Sequence, residues 1–119
     1  MTRSESADVL LVLTTAPDGE VAERIGTSLV EERLAACANV VPSVTSIYRW
    51  EGTLQREAEV LVLLKTTTDG VEALRDRLVE LHPYDVPEII ALSVKAGHLP
   101  YLAWVDAEVD PRGRPEPPR

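Results

Sequence analysis

Two kinds of apolar pattern run along the chain. Residues 9–13 and 60–64 are continuous, branched-rich runs too short for a helix, and each predicts a strand buried on both faces. Val21, Ile25 and Leu29 recur at spacing four, with Glu23, Arg24, Glu31, Glu32 and Arg33 on other faces. That spacing predicts an amphipathic helix ending near residues 34–36, with Pro17, Asp18 and Glu20 as its start signals. Val71, Leu74, Leu78 and Leu81 lay out a second helix. Asp69 and Glu72 stand at capping-box spacing before it, and Pro83 closes it near His82. Between the first helix and the second run, Val40, Val41, Val44, Thr45, Ile47 and Tyr48 favour strand, with Pro42 at an edge or bulge. Trp50-Glu51-Gly52-Thr53 predicts a turn, and residues 53–57 the returning arm. Residues 88–94 predict a fourth strand, and residues 99–105 a short third helix with Pro100 near its start.

The order β-α-β-β-α-β plus a short C-terminal helix is the split βαβ, ferredoxin-like arrangement, an α+β fold. There two helices cover one face of an antiparallel sheet, and a wet second face should alternate apolar with polar residues. The runs at 9–13 and 60–64 do not alternate. At roughly 25 cal/mol per Å² of apolar area, a second face left in water forfeits many kcal/mol. The expectation is that another subunit covers it, in preference to the chain's own hairpin or third helix folding back.

Composition narrows the picture. The 119 residues make one domain. Residues 1–8 are expected to be a flexible N-terminus, 9–107 the folded domain and 108–119 a proline-rich flexible tail. Phe is absent and only three Tyr and two Trp occur, so the core must be aliphatic. Asp and Glu outnumber Lys and Arg by 20 to 12, a net charge of −8 that argues against nucleic-acid and membrane partners. A single cysteine, Cys37, excludes an internal disulfide and a zinc ribbon. With no apolar leader at the N-terminus, the expected location is the reducing cytoplasm.

Six motifs then stand in order: Thr14-Thr15-Ala16-Pro17-Asp18, Leu34-Ala35-Ala36-Cys37-Ala38-Asn39, Ser46-Ile47-Tyr48-Arg49-Trp50-Glu51-Gly52, Leu64-Lys65-Thr66, His82-Pro83-Tyr84-Asp85-Val86-Pro87-Glu88 and Tyr101-Leu102-Ala103-Trp104. In that order they resemble the CutA proteins, the divalent-cation tolerance family, over roughly residues 8–107. The resemblance implies a cytosolic homotrimer, similar in architecture to the PII signalling proteins, with sheets packed around the trimer axis. It implies a link to tolerance of copper and other divalent cations, and no securely assigned reaction.

The candidate chemistry follows residue by residue. His82 is read either as a helix C-cap or as a metal ligand, and the resemblance raises the ligand reading. Copper-binding members of the family carry a Cys before the Thr-Ala-Pro-Asp motif and a second His before the His-Pro-Tyr motif. Here those positions hold Thr14 and Leu81, neither a soft nor an imidazole ligand. No cofactor is therefore expected to be required, and a divalent metal such as copper is expected to be held weakly, through His82. Cys37 lies among small apolar residues and reads as a buried small hydrophobe or, less often, a ligand or nucleophile.

Lys65, Glu59 and Glu88 read as solvated strand-end charges. By resemblance they match polar positions around a cleft between subunits, where Lys65 receives an anion and the carboxylates hold it or a hard cation. Trp50 and Trp104 are assigned to the trimer interface, and Tyr84 and Tyr101 to the wall of the cleft. His98 reads as an exposed loop residue. Three functions fit: a trimeric binding or regulatory module for divalent metal ions or a small ligand, a structural hub for protein partners, or an enzyme using Cys37, Lys65 or His82. The first is favoured.

Overall fold

A computed structural model of the chain describes residues 8–110. The expected flexible segments 1–8 and 108–119 fall almost wholly outside them. Four strands and three helices follow in order: β1 (Val9–Ala16), α1 (Gly19–Glu31), β2 (Cys37–Trp50), β3 (Thr53–Thr67), α2 (Val71–Leu81), β4 (Ile90–Ser93) and α3 (Leu99–Glu108). The strands form one sheet in the order β2-β3-β1-β4, with every neighbouring pair antiparallel. This is the split βαβ topology that the order of apolar patterns predicts.

Local chemistry sets the ends. Asp18 is extended at the N-cap of α1, and its Oδ1 accepts the Val21 N–H at 2.9 Å. The helix stops at Glu31, several residues before the limit expected from the sequence. Arg33 takes a left-handed φ of 61°, and the Leu34 and Ala35 N–H groups turn back onto the Leu29 carbonyl. At α2 the N-cap is Gly70, one residue past the expected Asp69, and glycine brings no side-chain cap of its own. Pro42 does mark a bulge: the β2–β3 register shifts between Val41 and Val44, and Ser43 has a φ of 65°. The hairpin turn uses Glu51 and Gly52, both at positive φ, the two-residue geometry that matches strand twist.

Residues 53–57 and 60–64 belong to one long strand, not to an arm and a separate run. The folded chain also continues past residue 107. Glu108 ends α3, Val109 is buried against Gly70, and the Asp110 N–H donates to the Arg33 carbonyl at 2.8 Å.

Strand register assigns each residue a face, because cross-strand partners point the same way. Val12 pairs with Leu64, Thr14 with Val62, and Ala16 with Val60. Their side chains meet Ala22, Ile25 and Leu29 of α1 and Leu74 and Leu78 of α2 in the main core. Gly26 allows the close approach of α1 to the sheet, since a Cβ there would lie 3.0 Å from the Ala38 Cβ. A second cluster of Val9, Ala36, Leu102, Val105 and Val109 seats α3. Both clusters are aliphatic throughout.

The other face has no such cover. Leu13 pairs with Leu63 and Ile90, Leu11 with Leu92, and Thr15 with Leu61. These side chains are only partly covered, and Ile90 and Leu92 are half exposed. Beyond the bulge the β2–β3 hairpin carries Leu54, Ile47 and Trp50 at 67%, 59% and 53% exposure.

Candidate functional site

The candidate side chains fall into two clusters toward opposite ends of β3. At the first, Cys37 pairs with Lys65 across β2 and β3, and Asn39 pairs with Leu63. All four share the uncovered face with Leu61. The Lys65 Nζ donates to the Asn39 Oδ1 and lies 3.8 Å from the Cys37 Sγ. The Cys37 Sγ is also 3.8 Å from the Asn39 Oδ1. A cation, an amide and a thiol thus converge on an otherwise apolar sheet face. Cys37 is partly exposed in the single chain, whereas the favoured expectation was a buried small hydrophobe.

At the second cluster, Glu59 is buried rather than a solvated strand-end charge, and the Tyr84 hydroxyl donates to its Oε2 at 2.7 Å. Burial, then the hydrogen bond to Glu59, push the Tyr84 phenol well above the usual tyrosine range. Nearby, the Tyr48 hydroxyl donates to the Glu57 Oε1 at 3.0 Å, and that bond is the main cause of the raised Tyr48 pKa. Both phenols are held neutral beside carboxylates, so the cluster presents acceptor oxygens backed by O–H donors.

His82 connects this cluster to β1. Its Nε2 lies 2.7 Å from the Thr15 carbonyl, and its Nδ1 lies 3.1 Å from the Tyr84 backbone nitrogen. A carbonyl can only accept and a backbone N–H can only donate. The ring is therefore the Nε2–H tautomer, with both nitrogens engaged. Its ring lies against that of Tyr84, with centroids 4.7 Å apart. In this arrangement His82 positions Tyr84, and a metal at either nitrogen would have to displace a hydrogen bond. It is also the C-cap of α2, where its own N–H bonds the Leu78 carbonyl.

Thr14 is fully buried on the helix-covered face, and its hydroxyl has no hydrogen-bond partner among the described residues. Leu81 packs against the main core. Among the described residues, no three His, Cys, Asp or Glu side chains gather closely enough to hold a metal ion.

The sequence expectation grouped Cys37, Glu59, Lys65, Tyr84, Glu88 and Tyr101 around one cleft. Within a single chain they are divided. Glu59 and Lys65 are six residues apart on one strand, about 20 Å at 3.3–3.4 Å per residue. Glu88 is exposed in the loop before β4. Tyr101 stands on α3 with its ring against Trp104, centroids 5.6 Å apart. Asn39 and Glu57 were not among the expected site residues. Asn39 was findable from its spacing of two from Cys37, which puts both on one strand face, whereas Glu57 needed the hairpin register.

No described helix is long and apolar enough to cross a membrane. A family model described as CutA1 divalent ion tolerance protein matches residues 10–108. The divalent-cation tolerance protein CutA of Thermus thermophilus is 53% identical over 95 residues, covering 80% of this chain and 92% of that one. The crystal structure of CutA from Xylella fastidiosa superposes with a TM-score of 0.84 at 45% identity, over 87% of this chain and 99% of that one. CutA1 from Oryza sativa gives 0.85 at 40% identity, over 90% and 98%.

Proposed function

The chain belongs to the CutA1 divalent ion tolerance protein family, and from that premise we propose that it works as a homotrimer, binding a small ligand or divalent cation in clefts between subunits. The observation that carries this reading is the uncovered apolar face of the sheet. Leu11, Leu13, Leu61, Leu63, Ile90 and Leu92 form one contiguous surface that the chain's own helices do not reach. A monomer rarely leaves such a patch in water. The hairpin beyond the bulge is a two-stranded ribbon with exposed Ile47, Trp50 and Leu54, and such a ribbon is marginal alone.

Assembly also supplies what one chain lacks. The Lys65 cluster and the Glu59 cluster lie about 20 Å apart in one subunit. Packing the uncovered faces around an axis brings one end of one subunit toward the other end of the next. A cleft built this way offers an ammonium and a thiol on one wall and two phenol-backed carboxylates on the other. That combination suits a small anion, or a hard cation held by Glu57 and Glu59. The charge of −8 per chain, three times over in a trimer, draws cations toward it.

Native mass spectrometry tests the reading. The expected species is near three times 13.1 kDa. A monomer at micromolar concentration would sink it. Copper and zinc titrations of the assembled protein are expected to give binding weaker than about 1 μM, weaker still in Glu59→Gln.

A further inference from the structure

Beyond the bulge, the β2–β3 hairpin sorts its charges by face. Cross-strand partners point the same way, so the register gives each side chain its side. Ile47 pairs with Arg56 and Arg49 with Leu54, which puts both arginines and both aliphatic side chains on one face. Ser46 pairs with Glu57, Tyr48 with Gln55 and Trp50 with Thr53, which puts the aromatics on the other. Glu59, paired with Val44, shares that second face. One ribbon thus carries a basic, aliphatic face and an acidic, aromatic face.

The chain itself satisfies neither. Arg49, Arg56, Ile47 and Leu54 are all exposed. Among the described residues neither arginine forms an ion pair, and the Arg49 Nη1 has only a 3.4 Å contact to the Gly52 carbonyl. On the opposite face Glu57, Tyr48 and Trp50 are exposed.

The segregation of charge limits what can cover the ribbon. In a twofold contact a patch meets itself, so arginines would face arginines, or carboxylates carboxylates. A head-to-tail contact sets unlike faces together and closes into a ring when the rotation fits. Height along the ribbon agrees. Arg56 stands level with Ile47, one position from Glu57, and Arg49 stands one position from Trp50. Rotation about an axis running along the ribbon keeps those heights, so it brings each arginine to its counterpart. A guanidinium forks onto a carboxylate and stacks on an indole face. The complementary charge lies on the two faces of the same ribbon, which makes a second copy of this chain the occupant.

We propose that the basic face of each hairpin docks on the acidic, aromatic face of the hairpin in the next copy, with Arg56 on Glu57 and Arg49 over Trp50. The proposal rests on the trimer reading and adds the polarity of the contact, a head-to-tail ring. Such a contact engages Glu57 and leaves Glu59, held by Tyr84, as the carboxylate offered to a ligand.

The test is native mass spectrometry of the full chain, with far-ultraviolet circular dichroism as the control for folding. Arg49→Glu with Arg56→Glu is expected to weaken assembly about ten-fold, and Glu57→Arg to act in the same direction. Exchanging one pair, Arg56→Glu with Glu57→Arg in a single chain, should recover most of that loss. Added sodium chloride should weaken assembly of the unchanged protein, and this decides the matter if a reversal unfolds the chain. A trimer indifferent to the reversals and to salt overturns the proposal and leaves the trimer reading standing. Loss without recovery in the exchange overturns the pairing of Arg56 with Glu57. A dimer of the unchanged protein overturns the head-to-tail contact, and a monomer overturns the trimer reading with it.

Discussion

The two faces of the sheet are built from the same strands and nearly the same residues, yet they meet opposite fates. Val12, Val62 and Leu64 are completely buried under α1 and α2. Leu11, Leu13 and Leu63, one position along on the same strands, are left partly exposed. Hydrophobicity does not separate the two sets. Only the side on which the crossover helices pack does so. The chain itself satisfies only one of the two apolar faces, and the proposed assembly is what would cover the other. The polar residues divide in the same way. Among the described residues the covered face holds one orphan, the Thr14 hydroxyl, while the open side holds the Cys37–Asn39–Lys65 and Glu59–Tyr84 clusters.

Paired substitutions break this comparison most strongly. Leu64→Ala on the covered face should cost about 2–5 kcal/mol of subunit stability, read by denaturant unfolding, because it opens a cavity at a fully buried core position. Leu63→Lys on the open face should leave the far-ultraviolet circular dichroism intact while the native mass falls to that of one chain. If Leu63→Lys unfolds the chain as Leu64→Ala does, the two faces are not energetically distinct. A smaller effect of opposite sign belongs to Thr14. Thr14→Val keeps the shape and removes the unpaired hydroxyl, so thermal unfolding should show a gain of about 1 kcal/mol.

The smallest expected effect is confined to alkaline pH. The Tyr84 pKa is raised in the fold, so its contribution to stability is complete below the ordinary tyrosine value of 10.0 and is lost as pH rises through the folded value. Stability of the protein should fall above pH 10, and Tyr84→Phe should flatten that fall. An unchanged alkaline slope in Tyr84→Phe would show that Tyr84 is not the group responsible.

Much of this was legible in the chain. Helix periodicity placed α1 and α2, Pro42 marked the bulge, Gly52 the turn, and the non-alternating runs the second apolar face. The end of α1 was not legible, because Arg33 adopts a left-handed conformation that its side chain does not signal. What stops the helix there is tertiary: the Arg33 guanidinium and carbonyl tie down the end of α3 and Asp110. Glu59 read as a strand-end charge because β3 looked like two segments. Its burial depends on Tyr84, 25 residues away.

By itself the sequence determined element type, the order of elements, the aliphatic core and the family motifs, since each rests on local spacing and residue chemistry. The tertiary structure decided which apolar face the helices take and which candidates touch. It set Glu59 and Lys65 apart on one strand within the chain and turned His82 from an open ligand into a ring held at both nitrogens. Those outcomes depend on register and on distances between residues far apart in the chain. No local pattern encodes them, because many remote partners would satisfy the same local chemistry.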